Sequence, residues 1–472
     1  MRALVWFRSD LRIADNPALH HAGLAADRGV VGVFAICARQ WLAHDWGHNR
    51  VEFLLRSLTD LACRLERRKI PLLIVKRPRF DELPVALLTL ARRHRCDALY
   101  FNCEYEVNER CRDEAVTRAF EAAGLTVHAS DDQVIVTPGV LRTKAGGCHK
   151  VFTVFKRAWC EQVEANGDLE PLPAPQPRPE FVCPSDAIPA TVAGFDTSRN
   201  NSRTWPAGAA RAARLLTAFI EQRVCEYRDD RDFPAIDGTS CLSPYLAVGA
   251  ISPRQCLHTA REANDGRLDL HRPGPGTWIS ELIWREFYRH VLVGYPRVSM
   301  HRAFKPETER IPWRNDQDEF NAWCEGRTGV PIVDAGMRQL ANTGWMHNRL
   351  RMIVAMFLTK DLLIDWRWGE RHFMRKLVDG DLASNNGGWQ WAASTGTDAV
   401  PYFRIFNPYT QAQRFDPDGV FIRRYVPELR DVDTRALHNP KRFTAAERAR
   451  CDYPTPICDH QAARQRALGA FK

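Results

Sequence analysis

No stretch of this 472-residue sequence holds enough consecutive apolar residues to cross a bilayer, so no transmembrane helix is expected. The apolar run 3–7 is stopped by Arg8 and Asp10. It is too short for the core of a secretory signal. Fourteen cysteines occur, and none forms a C-x-x-C pair. That excludes the common zinc and dithiol motifs, and no metal is expected. The scattered thiols read as reduced residues of a cytoplasmic protein. No G-x-G-x-x-G follows the first apolar run, so the usual dinucleotide fingerprint is missing. Internal repeats, low-complexity tracts and an evident zipper are absent too, which fits a monomer.

What is present is ordinary in bulk. Hydrophobic residues make up 45% and charged residues 26%, the profile of a globular protein. The length favours two or more domains. The formal net charge is +9, with the excess in 1–160 and 206–472 and an acidic stretch at 161–205. This suits a polyanionic partner, and a merely basic enzyme is an equal reading.

Short apolar runs at 3–7, 30–36, 71–75, 98–102 and 125–128 alternate with amphipathic stretches such as 51–68 and 107–123. The alternation predicts a doubly wound parallel sheet with helices on both faces. Six prolines from Pro171 to Pro184 then break periodic structure, as in a wrapping linker. From about Trp205 onward helical periodicity dominates. The expected organisation is an α/β domain over 1–130, a linker over 131–205 and an all-α domain over 206–472. Nine of the fourteen tryptophans lie between Trp278 and Trp391. Packing in a large helical core explains them, as does stacking on bases or on a flat ring.

Four motifs carry chemistry. In the run 238–244, Ser243 precedes Pro244, and Ser252 precedes Pro253. Each pair is a helix-start signal, an N-cap followed by proline at the first helical position. Free N–H groups there suit a diphosphate, although two capped helices without a ligand are the simpler reading. In the run 281–288, Glu281, Trp284, Arg285 and Tyr288 share a helical face by their spacing. That face suits a base and its phosphate, or equally a surface Glu281–Arg285 pair with Trp284 packed inward. In the run 344–352, Trp345, Asn348, Arg349 and Met352 share another face, while Arg351 points elsewhere. The last run, 379–397, combines Asp379, Gly380, Asp381, Asn385, Gly387, Gly388, Trp389 and Trp391. Its carboxylates suit a ribityl chain or adenine, Asn385 suits a helix cap or a ring nitrogen, and its glycines permit close approach to something flat.

These four motifs, in this order, resemble the DNA photolyase/cryptochrome family, most closely its microbial class I cyclobutane-dimer branch. The likeness runs from Val5-Trp-Phe-Arg-Ser-Asp-Leu-Arg12 to Asp452-Tyr-Pro454 and is densest over 278–406. It implies FAD, active in its reduced form, in the helical domain. Tyr227, Thr239, Ser240, Cys241, Leu242, Ser243 and Trp278 would line the diphosphate and flavin. Asp379, Gly380 and Asp381 would hold the flavin and ribose side, with Arg351 paired to Asp379. Asn385 would face flavin N5 and favour its reduced forms. Cys241 departs from close relatives, which often carry arginine there.

The resemblance also implies UV-damaged DNA as partner and the light-driven splitting of cyclobutane pyrimidine dimers as reaction. Trp284 and Trp391 would stack on the flipped dimer, Glu281 and Asn348 would bond its base edges, and Met352 would pack beside it. Arg231, Arg285, Arg349, Arg404 and Gln411 would address the DNA backbone. Trp389, Trp366 and Trp313 match the family's electron chain from flavin to surface. His44, Asn108 and Glu109 match the antenna site for 5,10-methenyltetrahydrofolate. Met300 stands where folate-binding relatives carry lysine, which keeps an 8-hydroxy-5-deazaflavin antenna, or none, open. The alternatives are a cryptochrome-type light receptor, whose signalling members usually carry a long tail beyond the helical domain, and a (6-4) photolyase, which leans on a histidine pair. A flavin electron carrier without DNA fits the basic and aromatic helical faces less well.

Overall fold

The computed structural model describes residues 1–166, 169–177, 183–197 and 203–472. Five strands, β1 (Ala3–Phe7), β2 (Val30–Ile36), β3 (Leu72–Lys76), β4 (Ala98–Asn102) and β5 (Thr126–Ser130), form one parallel sheet. Their order is β3-β2-β1-β4-β5, the doubly wound arrangement expected. β1, β2 and β4 are almost wholly buried, as apolar runs covered on both faces must be. β3 and β5 begin one residue later than expected. β5 is an edge strand and reads Thr-Val-His-Ala-Ser, largely exposed, so its hydrophobic signal is weak.

The strand order reverses between β1 and β4, the place where open α/β sheets usually bind ligands. Here the chain's own polar side chains fill it. Arg8 bonds Asp113 at 2.9 Å and also the Asn102 carbonyl. Asn102 Nδ2 donates to Asp10 at 2.6 Å and to Asn16 at 2.8 Å.

The chain divides into two compact units. The first comprises 1–225, 240–296 and 378–383; the second comprises 226–239, 297–377 and 384–472. Within the first, the 22-residue helix Pro273–Gly294 buries Ile279, Ile283 and Phe287. The helix Phe152–Asn166 packs on it through Phe155 and Phe287, 5.1 Å apart. That helix lies inside the span expected to be linker. Buried Glu286 joins the two helices to a further segment. It accepts from Trp159 Nε1 at 2.6 Å and from the backbone N–H groups of Ile135 and Val136 at 2.7 and 2.8 Å. Three donors satisfy a carboxylate that burial alone would penalise. Gly249 has φ +68°, and a Cβ there would meet the Ser9 carbonyl oxygen at 2.0 Å, so only glycine fits this close approach.

The second unit is helical, with no strand among its described residues. Its core gathers Trp323, Trp366, Trp389, Phe357, Phe373 and Phe421 with many aliphatic residues. Burial of each large apolar side chain contributes about 1.5–3 kcal/mol. A π-turn at Phe357–Asp361 follows the helix Asn348–Met356 and carries Lys360 and Asp361 into the interior.

Candidate functional site

The implied site residues fall on both units. In the first, the stretch 240–244 opens a short helix, Ser243–Ala247. The helix begins at Ser243 itself, and Leu242 holds the cap position, so Ser243 is not the N-cap expected. Cys241 adopts a left-handed φ of 52°, an uncommon state for a side-chain-bearing residue. Ser252 behaves as expected: it caps Pro253–Ala263 in a full capping box with Gln255. Trp278 is buried, 5.0 Å from Phe219.

On Pro273–Gly294, Glu281, Trp284 and Arg285 are half-buried. Trp284 lies parallel to Phe152 at 3.7 Å, so one ring face is already covered. Arg285 donates to the Gln133 carbonyl at 2.7 Å. Burial, with the charge of Arg289 added, pulls its guanidinium down to about 10. Arg289 also binds Asp381 at 2.7 Å, a largely buried ion pair. Sequence reasoning missed Arg289, although it stands one turn beyond Arg285. Asp379 and Gly380 are buried beside Asp381.

His44, Asn108 and Glu109 meet in the same unit. The His44 ring lies 3.2 Å from Glu109 and 2.9 Å from the Asn108 amide nitrogen. Neighbouring Glu106 is raised to about 8 by burial and then by the charges of Glu109, Glu104 and Asp381. Trp41 and Trp46 stack at 4.8 Å nearby in sequence, with Arg50 3.7 Å above Trp46.

In the second unit, Gly344 ends the helix Pro331–Thr343 in a left-handed conformation. The next helix starts only at Asn348, so Trp345 precedes it and does not share its face, a correction to the expected stripe. Asn348 is exposed and Met352 half-buried. Arg349 binds Asp232 at 2.6 Å and lies 4.3 Å above the Phe415 ring. Arg351 Nε donates to the Met346 carbonyl at 2.8 Å. Arg231 lies 5.2 Å above the buried Tyr227 ring. Thr239 is half-buried, and Arg404 is exposed beside exposed Tyr402 and Phe403. Gln411 Oε1 is buried with no bonding partner.

Asn385 sits inside the helix Leu382–Ala393, not at a cap. Its amide nitrogen donates to the Glu370 carbonyl at 2.9 Å. The bond fixes the side chain by its donor end and leaves Oδ1 as the end for a donor group. Such an acceptor is compatible with an N–H donor such as that of a reduced flavin. Buried Glu370, which no sequence signal marked, also accepts from Asn386 at 2.8 Å. Trp389 and Trp366 are buried, Trp313 and Trp391 half-buried. A Cβ on Gly369 would meet the Trp389 ring at 2.1 Å, so glycine there makes room for that indole. Among the described residues no cluster of three or more metal-ligating side chains occurs, and no helix is long and apolar enough to cross a membrane.

Residues 3–178 match the family model described as DNA photolyase, and residues 278–472 match that of the FAD binding domain of DNA photolyase. The chain is 45% identical to a deoxyribodipyrimidine photo-lyase of Salmonella typhimurium, over 99% of this chain and 98% of that protein. The corresponding enzyme of Escherichia coli is also 45% identical, with the same coverage. A bacterial class III photolyase from Agrobacterium tumefaciens superposes with TM-score 0.88 at 35% identity, covering 100% of this chain and 97% of that one. A parallel sheet whose switch point is filled by its own side chains, a tryptophan-rich helical unit and end-to-end identity of this order agree: the chain belongs to the DNA photolyase family.

Proposed function

We propose that this protein is a light-driven deoxyribodipyrimidine photo-lyase that splits cyclobutane pyrimidine dimers in DNA. The observation that carries the reading is 45% identity to enzymes of that name across 99% of the chain. Reduced FAD, when bound, supplies the light absorption and the electron that opens the cyclobutane ring. Tyr227, Thr239, Ser240, Cys241, Leu242, Ser243 and Trp278 would hold its diphosphate and rings. Asp379 and Asp381 would hold its ribose side, with Arg289 orienting Asp381. Asn385, anchored on Glu370, would present Oδ1 to N5.

A dimer is already unstacked and weakly paired, so extruding it costs only about a few kcal/mol. Trp284 has one face covered by Phe152 and would offer the other to the dimer, as would Trp391. Glu281 and Asn348 would bond base edges, and Met352 would pack alongside. Arg231, Arg404 and Gln411 would position the DNA backbone without reading sequence. Arg349 would exchange Asp232 for a phosphate, whereas Arg285 is held on Gln133. Trp389, Trp366 and Trp313 would return electrons to an oxidised flavin. Their exposure, buried for two and half-buried for the third, suits a chain that runs outward. The meeting of His44, Asn108 and Glu109 supports a methenyltetrahydrofolate antenna. A cytoplasmic monomer completes the reading.

The test is repair of UV-irradiated oligo(dT) by the reduced protein, followed by recovery of thymine absorbance. Recovery in blue light and none in the dark is expected. No recovery in light with reduced FAD bound would replace this reading with a cryptochrome or (6-4) function. Glu281→Ala is expected to lower the repair yield while FAD stays bound.

A further inference from the structure

Beside Trp389 lies a group of side chains that the three-tryptophan chain does not use. Trp323 is fully buried, and its ring centroid is 6.0 Å from that of Trp389, edge to face. His372 stands edge to face with Trp323 at 5.4 Å. Cys324 follows Trp323 in the chain, and its Sγ lies 3.3 Å from His372 Nδ1. Cys324 and His372 are half-buried, so the series runs from the interior toward solvent. All four residues belong to the second unit.

We infer that Trp323, Cys324 and His372 form a second branch off Trp389, ending in a thiol that fills electron vacancies in the aromatic core. The inference rests on the reading of Trp389 as an electron donor to oxidised FAD. One electron leaves Trp389 for the light-excited oxidised flavin. Trp323 replaces it, and Cys324 Sγ in turn replaces the electron lost by Trp323. The S–H proton passes to His372 Nδ1, so the products are a thiyl radical and an imidazolium. Charge and atoms balance, with the flavin as the single oxidant.

Each residue type suits its step. Trp323 Nε1 donates to the Val354 carbonyl at 3.1 Å. A carbonyl is a poor base, so an oxidised Trp323 cannot shed its proton there and must be refilled. Burial pushes the Cys324 thiol up to about 12 and pulls the His372 imidazole down to about 4. Both are neutral at rest: the sulfur keeps its proton, and with the ring proton on Nε2 the imidazole accepts at Nδ1. Loss of an electron makes the S–H strongly acidic, and its acceptor is already in contact. Packing alone requires neither a thiol at 324 nor a ring nitrogen facing it.

The test uses the FAD-loaded protein with the flavin oxidised, illuminated with a nitrone spin trap and no external reductant. Peptide mass spectrometry then locates the adduct. A light-dependent adduct on Cys324 that disappears in Trp389→Phe and falls in His372→Phe is expected. No adduct on Cys324, or one undiminished in Trp389→Phe while that variant has lost photoreduction, would overturn the branch. Undiminished photoreduction in Trp389→Phe would instead overturn the underlying role of Trp389. Because Trp323→Phe alters a packed core, Cys324→Ser gives the independent measurement. In a Trp366→Phe background it is expected to abolish the residual photoreduction, with melting temperature and dimer repair by pre-reduced protein unchanged. Residual photoreduction equal with and without Cys324 would also refute the proposal.

Discussion

The two units bury polar chemistry in opposite ways. In the first, interior charge comes in pairs: Arg12 with Asp132, Arg8 with Asp113, Arg112 with Glu104 and Arg289 with Asp381. In the second, the interior is chiefly aromatic and aliphatic. Two of its buried ionisable groups, Asp334 and Lys360, are displaced toward their neutral forms, Asp334 up to about 6 and Lys360 down to about 7, both mainly by burial, while Asp361 and Glu370 keep histidine partners. Taking a charge from water is costly unless a partner or hydrogen bonds offset it. The first unit supplies partners where a sheet crevice must be filled. The second packs most of its interior with aromatic and aliphatic side chains, although Arg367 lies 4.8 Å over the Trp366 ring.

The largest test breaks a pair. Arg12 is 2% exposed and also donates to the Gly249 carbonyl at 3.1 Å. Arg12→Met leaves Asp132 and Asp15 buried without it and is expected to cost about 3–5 kcal/mol, read as a fall in denaturant midpoint. Overpacking the aromatic core comes next. Gly369→Ala drives a methyl into the Trp389 ring and is expected to cost about 1–3 kcal/mol. Flavin photoreduction should fall with it if that indole is displaced.

The third test concerns pH. Lys360 donates to Ser394 Oγ at 2.9 Å, and nearby Lys305 adds like charge to the effect of burial. Its folded value lies below its unfolded one, so the native state binds fewer protons between about 7 and the ordinary lysine range. Stability contributed by this group therefore rises as pH climbs through that interval. Lys360→Met is expected to remove the rise, seen as a flatter dependence of melting temperature on pH. The smallest effect sharpens the contrast from outside: Arg267 and Asp269 pair at 2.5 Å on the surface. Water and salt screen such a pair, and Arg267→Ala is expected to leave the midpoint unmoved.

Much of the fold was legible. The runs 3–7, 30–36 and 98–102 coincide with strands, because a strand buried on both faces needs an unbroken apolar run. Edge strand β5 drifted because half its residues face water. Ser252-Pro253 announced its helix through a local bond. Trp345 misled, since spacing shows which residues would share a face but not where a helix begins. For Arg285 the spacing offered Glu281 as a partner and for Arg349 it named none, whereas Gln133 and Asp232 hold them. Neither partner can be found from neighbouring residues.

By itself the sequence determined the buried strands of the sheet, the helical character of the later half, and the order of chemistry-bearing residues that marks the family, but not the helix Phe152–Asn166. What it determined follows from periodicity and residue type, which act over a few positions. Only the tertiary structure decided that the compact units are discontinuous, that Arg289 meets Asp381 across 92 positions, and that Cys324 faces His372 across 48. Such pairings depend on which distant segments the hydrophobic core draws together, and no local pattern records that choice.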